Sequence, residues 1–189
     1  MKTHVLHPEL EPTLIYLHGR GESGVDGENL RHGLFLAMER HPERWPFRVI
    51  GFQKPAMDVL WPAHLDEINA ALAEIPHREG QRVVLTGLSQ GGHGTMALCR
   101  RLIWPVDVIA PICGWSEDPV ATAEAIRGLD AWFFHGLADD VVPPTGSTDV
   151  SSLLPDARVT LYEGVGHNSW DLAYGDPELA NWLLGSPKE

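Results

Sequence analysis

Val83-Val84-Leu85-Thr86-Gly87-Leu88-Ser89-Gln90-Gly91-Gly92 passes from a short apolar run through a glycine-rich turn into a helical pattern. The run suits a buried strand. Beyond the turn, Gly92, Met96, Cys99 and Ile103 recur at helical spacing, and Pro105 follows the end of the pattern. Gly87, Ser89 and Gly91 make G-x-S-x-G between the two elements. A strand that bends directly into a helix needs a sharp turn with very small neighbours. Such a turn lifts its central serine above the sheet, beside helix N–H groups that favour negative charge. A glycine-rich turn with an incidental serine is the plainer alternative. The strand–turn–helix setting favours Ser89 as a nucleophile.

Working outward, the segments 13–17, 47–52, 82–86, 106–111, 131–134 and 158–162 read as strands, several of them continuous apolar runs such as Leu14-Ile15-Tyr16-Leu17. Continuous runs belong to strands covered by helices on both faces. Amphipathic stretches at 28–40, 65–75, 90–103, 119–127, 145–154 and 177–184 alternate with them. Alternation of this kind predicts an α/β fold, a doubly wound and mostly parallel sheet of six or seven strands, with residues 1–189 forming a single domain. In such sheets a site sits at the carboxyl ends of the strands.

A serine hydroxyl needs a base, and the base needs an orienting acid. Asp139 and Asp140 lie just beyond the strand at 131–134, and His167 lies in a Gly-containing loop just beyond the strand at 158–162. These are the acid and base candidates, and adjacent aspartates in a loop point in different directions, so one of the two is expected to reach His167. Of the other histidines, His18 and His135 each precede a glycine at a strand end and are expected to bond loop backbone. The segment Leu17-His18-Gly19-Arg20-Gly21-Glu22 follows the first strong strand. In the Ser89 arrangement it places the backbone N–H of Arg20, together with that of Gln90, where an oxyanion would form.

The chain resembles the phospholipase/carboxylesterase branch of the α/β-hydrolases, which includes acyl-protein thioesterase-like enzymes and small esterases. The resemblance rests on LHGRGESG at 17–24, LTGLSQGGHGT at 85–95, HGLADDVVP at 135–143 and GHNSWDLAY at 166–174, which occur in the family's order. It implies a compact α/β-hydrolase fold without a cap domain. The family's H-G-x-x-D-x-x-V-P pattern, laid on 135–143, selects Asp139 over Asp140. It further implies hydrolysis of a small-molecule ester or thioester through an acyl-enzyme, without a cofactor. The chain is short for the family, so the loss of some outer strands is expected. An acyltransferase or a peptidase with the same three residues, and a binding protein on a hydrolase scaffold, are the competing functions.

Trp61, Trp115 and Trp170 are the aromatic residues placed to form an apolar wall for substrate, with core packing as the alternative for each. The Arg20 guanidinium is a candidate for holding a substrate carboxylate, against an exposed or structural role. Composition narrows the partners. A net charge of −12 disfavours nucleic acid and anionic membranes, and Arg100-Arg101 reads as a solvated helix face. Cys99 and Cys113 read as buried thiols, and the histidines lack the grouping of a metal site. No stretch approaches the ~20 apolar residues of a membrane span. The start of the chain lacks a signal peptide's apolar core, and a cytoplasmic protein is expected.

Overall fold

The computed structural model describes residues 1–185. Seven strands form one sheet: β1 (Lys2–Leu6), β2 (Thr13–Leu17), β3 (Arg48–Gln53), β4 (Val83–Leu88), β5 (Val108–Ile112), β6 (Asp130–Gly136) and β7 (Arg158–Tyr162). Their order is β1-β3-β2-β4-β5-β6-β7. All pairings are parallel except that of β1 with β3.

The helices are α1 (Gly33–Arg40), α2 (Leu65–Ala73), α3 (Gln90–Leu98), α4 (Pro119–Ile126), α5 (Thr145–Ser151), α6 (Trp170–Gly175) and α7 (Pro177–Leu184). They cover both faces of the sheet. Leu14, Tyr16, Val84, Val108 and Ala110 turn toward an apolar layer shared with α1, α6 and α7. The alternate residues Ile15, Leu17, Val83, Leu85 and Ile109 turn toward α2, α3, α4 and α5. Burial on both faces explains why β2, β3, β4 and β5 are sequestered at every position, and why their sequences show no polar alternation.

All six expected strands are present, with boundaries moved by a few residues. The added strand is β1, a half-exposed edge element whose signal in the sequence is only Val5 and Leu6 among polar residues. The expected helix at 28–40 is divided into a 3-10 turn, Glu28–Arg31, and α1, because Gly33 adopts a φ of 56° at the join. The expected helix at 90–103 stops at Leu98, where the chain tightens and the Arg101 N–H bonds the Leu98 carbonyl. The short α6 is a helix beyond those expected from the sequence.

From β2 the chain moves outward to β3, and then returns to β4 on the other side of β2. Connections leaving in opposite directions open a crevice at the carboxyl ends of β2 and β4. Leu17 and Gly87 are register partners there, so the loop after β2 and the turn after β4 stand side by side.

Candidate active site

Ser89 occupies the turn between β4 and α3 with φ 54° and ψ −117°, a backbone conformation that a side chain rarely adopts. It is fixed from both directions: its N–H donates to the Ile112 carbonyl, and its own carbonyl accepts from the His93 N–H. The glycines beside it are required by crowding. A Cβ on Gly87 would lie 2.5 Å from the Leu17 and Gly91 carbonyl oxygens, and one on Gly91 would overlap the Leu17 carbonyl outright.

Ser89, His167 and Asp139, although drawn from loops after three different strands, form one hydrogen-bonded chain. The Ser89 hydroxyl donates to His167 Nε2 at 2.9 Å, and His167 Nδ1–H donates to Asp139 Oδ2 at 2.7 Å. Asp139 is buried, and its Oδ1 accepts from the N–H groups of Val141 and Val142, each at 2.9 Å. Burial works against its charge. The hydrogen bonds from His167, Val142 and Val141 nonetheless hold its carboxyl below the usual carboxylate range. Asp140 is exposed on the adjoining surface.

His135, expected to bond loop backbone, bonds the Val142 carbonyl at 2.9 Å and also reaches Asp139. Its Nε2 lies 3.1 Å from Asp139 Oδ2, and its Nδ1 lies 2.7 Å from Ser147 Oγ. Two acceptors at Nε2 put the proton there, so Nδ1 accepts from the Ser147 hydroxyl. Burial holds the ring below the ordinary histidine range and therefore neutral. Asp139 thus receives hydrogen bonds from two imidazoles. The part played by buried Ser147, twelve residues from His135, carries no motif and was not read from the sequence.

Arg20 and Gln90 flank the same crevice. Gln90 opens α3, where a helix N–H has no intrahelical partner, and neither its N–H nor that of Arg20 is bonded among the described residues. The Arg20 loop is anchored through His18. Its Nδ1–H donates to the Gly19 carbonyl at 2.5 Å, and its Nε2 accepts from the Lys54 N–H at 3.1 Å. Burial lowers His18 to about 4, which keeps it neutral.

A cavity of about 840 Å³ opens over Ser89 and His167, lined also by Arg20, Glu22, Gln90, Trp115, Val142 and Trp170. Trp170 stands edge-on to His167, with ring centroids 5.5 Å apart. Trp115 packs on His93 and donates to Glu117 Oε1. Trp61 is different. It is completely buried outside the cavity, donating its indole N–H to the His18 carbonyl at 2.9 Å and packing against Gly94 of α3. Its expected place in a substrate wall is corrected to one in the core.

The Arg20 guanidinium turns to Asp58, with Nη2 2.7 Å from Oδ1. Two acids, Glu22 and Asp149, line the cavity, and burial raises the Glu22 carboxyl. Both cysteines are buried, and burial raises their thiols, Cys99 to about 11 and Cys113 to about 12. Among the described residues no three His, Cys, Asp or Glu side chains converge on a position that could hold a metal ion, and no helix is long and apolar enough to cross a membrane.

No protein-family model matches the chain, and neither does any curated protein. Solved structures do. A thermostable esterase superposes with a TM-score of 0.78 at 26% identity over 97% of this chain, which spans 58% of that esterase's length. Acyl-protein thioesterase 2 of Zea mays gives a TM-score of 0.61 at 16% identity, covering 97% of this chain and 98% of its own. Est1E from Butyrivibrio proteoclasticus, solved with ferulic acid bound, gives 0.68 at 15%, covering 97% and 94%. The sheet order with its crevice between β2 and β4, taken with these neighbours, places the chain in the α/β-hydrolase superfamily.

Proposed function

We propose that this protein is a serine esterase that splits small carboxylic or thio esters through an acyl-enzyme. The observation that carries the proposal is the continuous line from Ser89 Oγ through His167 to Asp139 at the floor of an accessible cavity. Its esterase and thioesterase neighbours support the same reaction class.

In this mechanism His167 Nε2 takes the Ser89 proton as the oxygen bonds to the ester carbonyl carbon. The N–H groups of Arg20 and Gln90 hold the resulting oxyanion, and Asp139 stabilises the imidazolium. As the tetrahedral centre collapses, His167 gives its proton to the departing alcohol or thiol, leaving an acyl group on Ser89. Water, deprotonated by the same imidazole, then releases the acid and restores the hydroxyl. Neutral His135 fits this cycle because it adds a hydrogen bond to Asp139 without adding a competing cation. Trp115 and Trp170 supply the apolar walls against which the ester packs.

The test is hydrolysis of p-nitrophenyl esters from acetate to decanoate by the wild type and by Ser89→Ala, with fluorophosphonate labelling of Ser89 alongside. Turnover and labelling that both vanish in Ser89→Ala are expected. A wild type that folds but neither hydrolyses an ester nor takes the label refutes the proposal.

A further inference from the structure

Lys54 lies just beyond β3 and is completely buried, an unusual place for a lysine. Its ammonium donates to Ser23 Oγ at 2.9 Å and to the carbonyls of Ala56 at 2.8 Å and Met57 at 3.3 Å. All three partners are neutral oxygens, and among the described residues Lys54 makes no ion pair. A buried cation without a counter-ion is costly unless its hydrogen bonds compensate, so the arrangement calls for a reason.

The reason lies in what Lys54 joins. Its backbone N–H donates to His18 Nε2, and its backbone carbonyl accepts from the Gly24 N–H at 2.9 Å. With the ammonium on Ser23, this residue touches both ends of segment 18–24, which presents the Arg20 N–H between them. The Met57 carbonyl, held by the same ammonium, also accepts from Gln90 Nε2 at 3.1 Å. One side chain therefore reaches, directly or through one carbonyl, the surroundings of both N–H groups assigned to the oxyanion.

We propose that Lys54 is the positioning residue of the oxyanion site, its ammonium clamping segment 18–24 and the 56–57 shelf against α3. The proposal rests on the esterase reading. Oxyanion donors act over a narrow range of distance, so a loosened segment loses transition-state stabilisation while the cavity walls still bind the ester. Arg20, Asp58, Glu22 and neutral His18 face the ammonium. Burial lowers it to about 8, with Arg20 pushing the same way and Asp58 and Glu22 opposing. The clamp is charged below that pH and slackens above it. Activity is therefore expected to fall as pH rises through about 8.

The experiment compares wild type, Lys54→Met and Ser23→Ala by kcat and KM on p-nitrophenyl butyrate from pH 5.5 to 10, and by amide hydrogen exchange. Lys54→Met is expected to lower kcat about 10- to 100-fold with KM held within about twofold, and to remove the alkaline fall. Exchange in 18–24 should quicken while the strands stay protected. Ser23→Ala should move both readouts the same way by less. Unchanged kcat and unchanged exchange in Lys54→Met overturn the proposal, and so does exchange raised uniformly over the sheet, the mark of a merely structural lysine. If Lys54→Met does not fold, Ser23→Ala decides: normal kcat and normal exchange in it overturn the clamp. If the wild type hydrolyses no ester, the esterase reading falls by itself, and exchange in 18–24 alone judges whether Lys54 holds the loop.

Discussion

Replacing Asp139 by asparagine changes one atom of the site and reverses its proton order. The Val141 and Val142 N–H groups both point at Oδ1, so the asparagine oxygen remains there and its NH₂ is turned toward His167 and His135. The contact made at 2.7 Å by His167 Nδ1–H then meets a donor. The imidazole must accept at Nδ1 and carry its proton on Nε2, which faces the Ser89 hydroxyl and can no longer take its proton. Regaining the productive tautomer sacrifices one hydrogen bond, and the imidazolium has lost its carboxylate. With hydrogen bonds to charged groups contributing about 1.5–3 kcal/mol each, the two effects raise the barrier by about 4–5 kcal/mol, or about 10³–10⁴ in kcat. The fold should persist, because His135 keeps the Val142 carbonyl and both loop amides keep an acceptor. Steady-state hydrolysis of p-nitrophenyl butyrate, beside a thermal melt, measures both. A folded Asp139→Asn variant within tenfold of wild type would mean that His167 is oriented by something else; Asp140→Asn, at an exposed position, is expected to change kcat by less than about twofold.

Further outcomes follow from the same packing. Gly91→Ala drives a methyl into the Leu17 carbonyl, so α3 must retreat from β2. Overpacking of about 3 kcal/mol or more should lower the melting temperature by about 10 °C, and a melt within 2 °C of wild type contradicts the geometry. His18 is held at about 4, against an ordinary 6.5, by burial. The unfolded chain therefore binds its proton first, and stability that is complete above pH 6.5 declines as pH falls toward 4. At pH 5 the loss from His18 is about 2 kcal/mol, with His135 acting in the same direction, and equal urea midpoints at pH 5 and pH 7 would refute it. Esters bearing a free carboxylate should react at least about tenfold more slowly than neutral ones of equal length, because Glu22 and Asp149 line the cavity while the Arg20 guanidinium rests on Asp58. A preference for the acidic ester would return Arg20 to a substrate-binding role.

What could be seen in the sequence was whatever is enforced locally. Gly87 and Gly91 had to be glycine for a strand to turn into a helix at Ser89, and the buried strands β2 through β5 had to be mainly apolar, with their few polar residues, such as Thr13, Arg48 and Thr86, hydrogen-bonded. Asp139 was separable from Asp140 only by family pattern, since their difference lies in whether the amides of Val141 and Val142 fold back on them. Trp61 was misplaced because a tryptophan's surroundings are set by distant partners, here a carbonyl 43 residues away. Lys54 and Ser147 went unnoticed for the same reason: their hydrogen bonds cross between loops, and no periodicity records them. β1 escaped because an antiparallel edge strand needs neither continuous burial nor a long run.

The crowding around Ser89 also bears on how such a molecule can change over generations. The turn is wedged among the backbone carbonyls of Leu17, Gly91 and Ile112, so a side chain added at its glycines forces the backbone to shift and lowers stability. Trp115, Val142 and Trp170 stand instead on the connections that leave β5, β6 and β7, and their side chains face the cavity rather than that wedge. A mutational library confined to positions 115, 142 and 170 should retain folded protein while its ester preferences diverge. One spread over 87–92 should yield chains of lowered melting temperature and little activity.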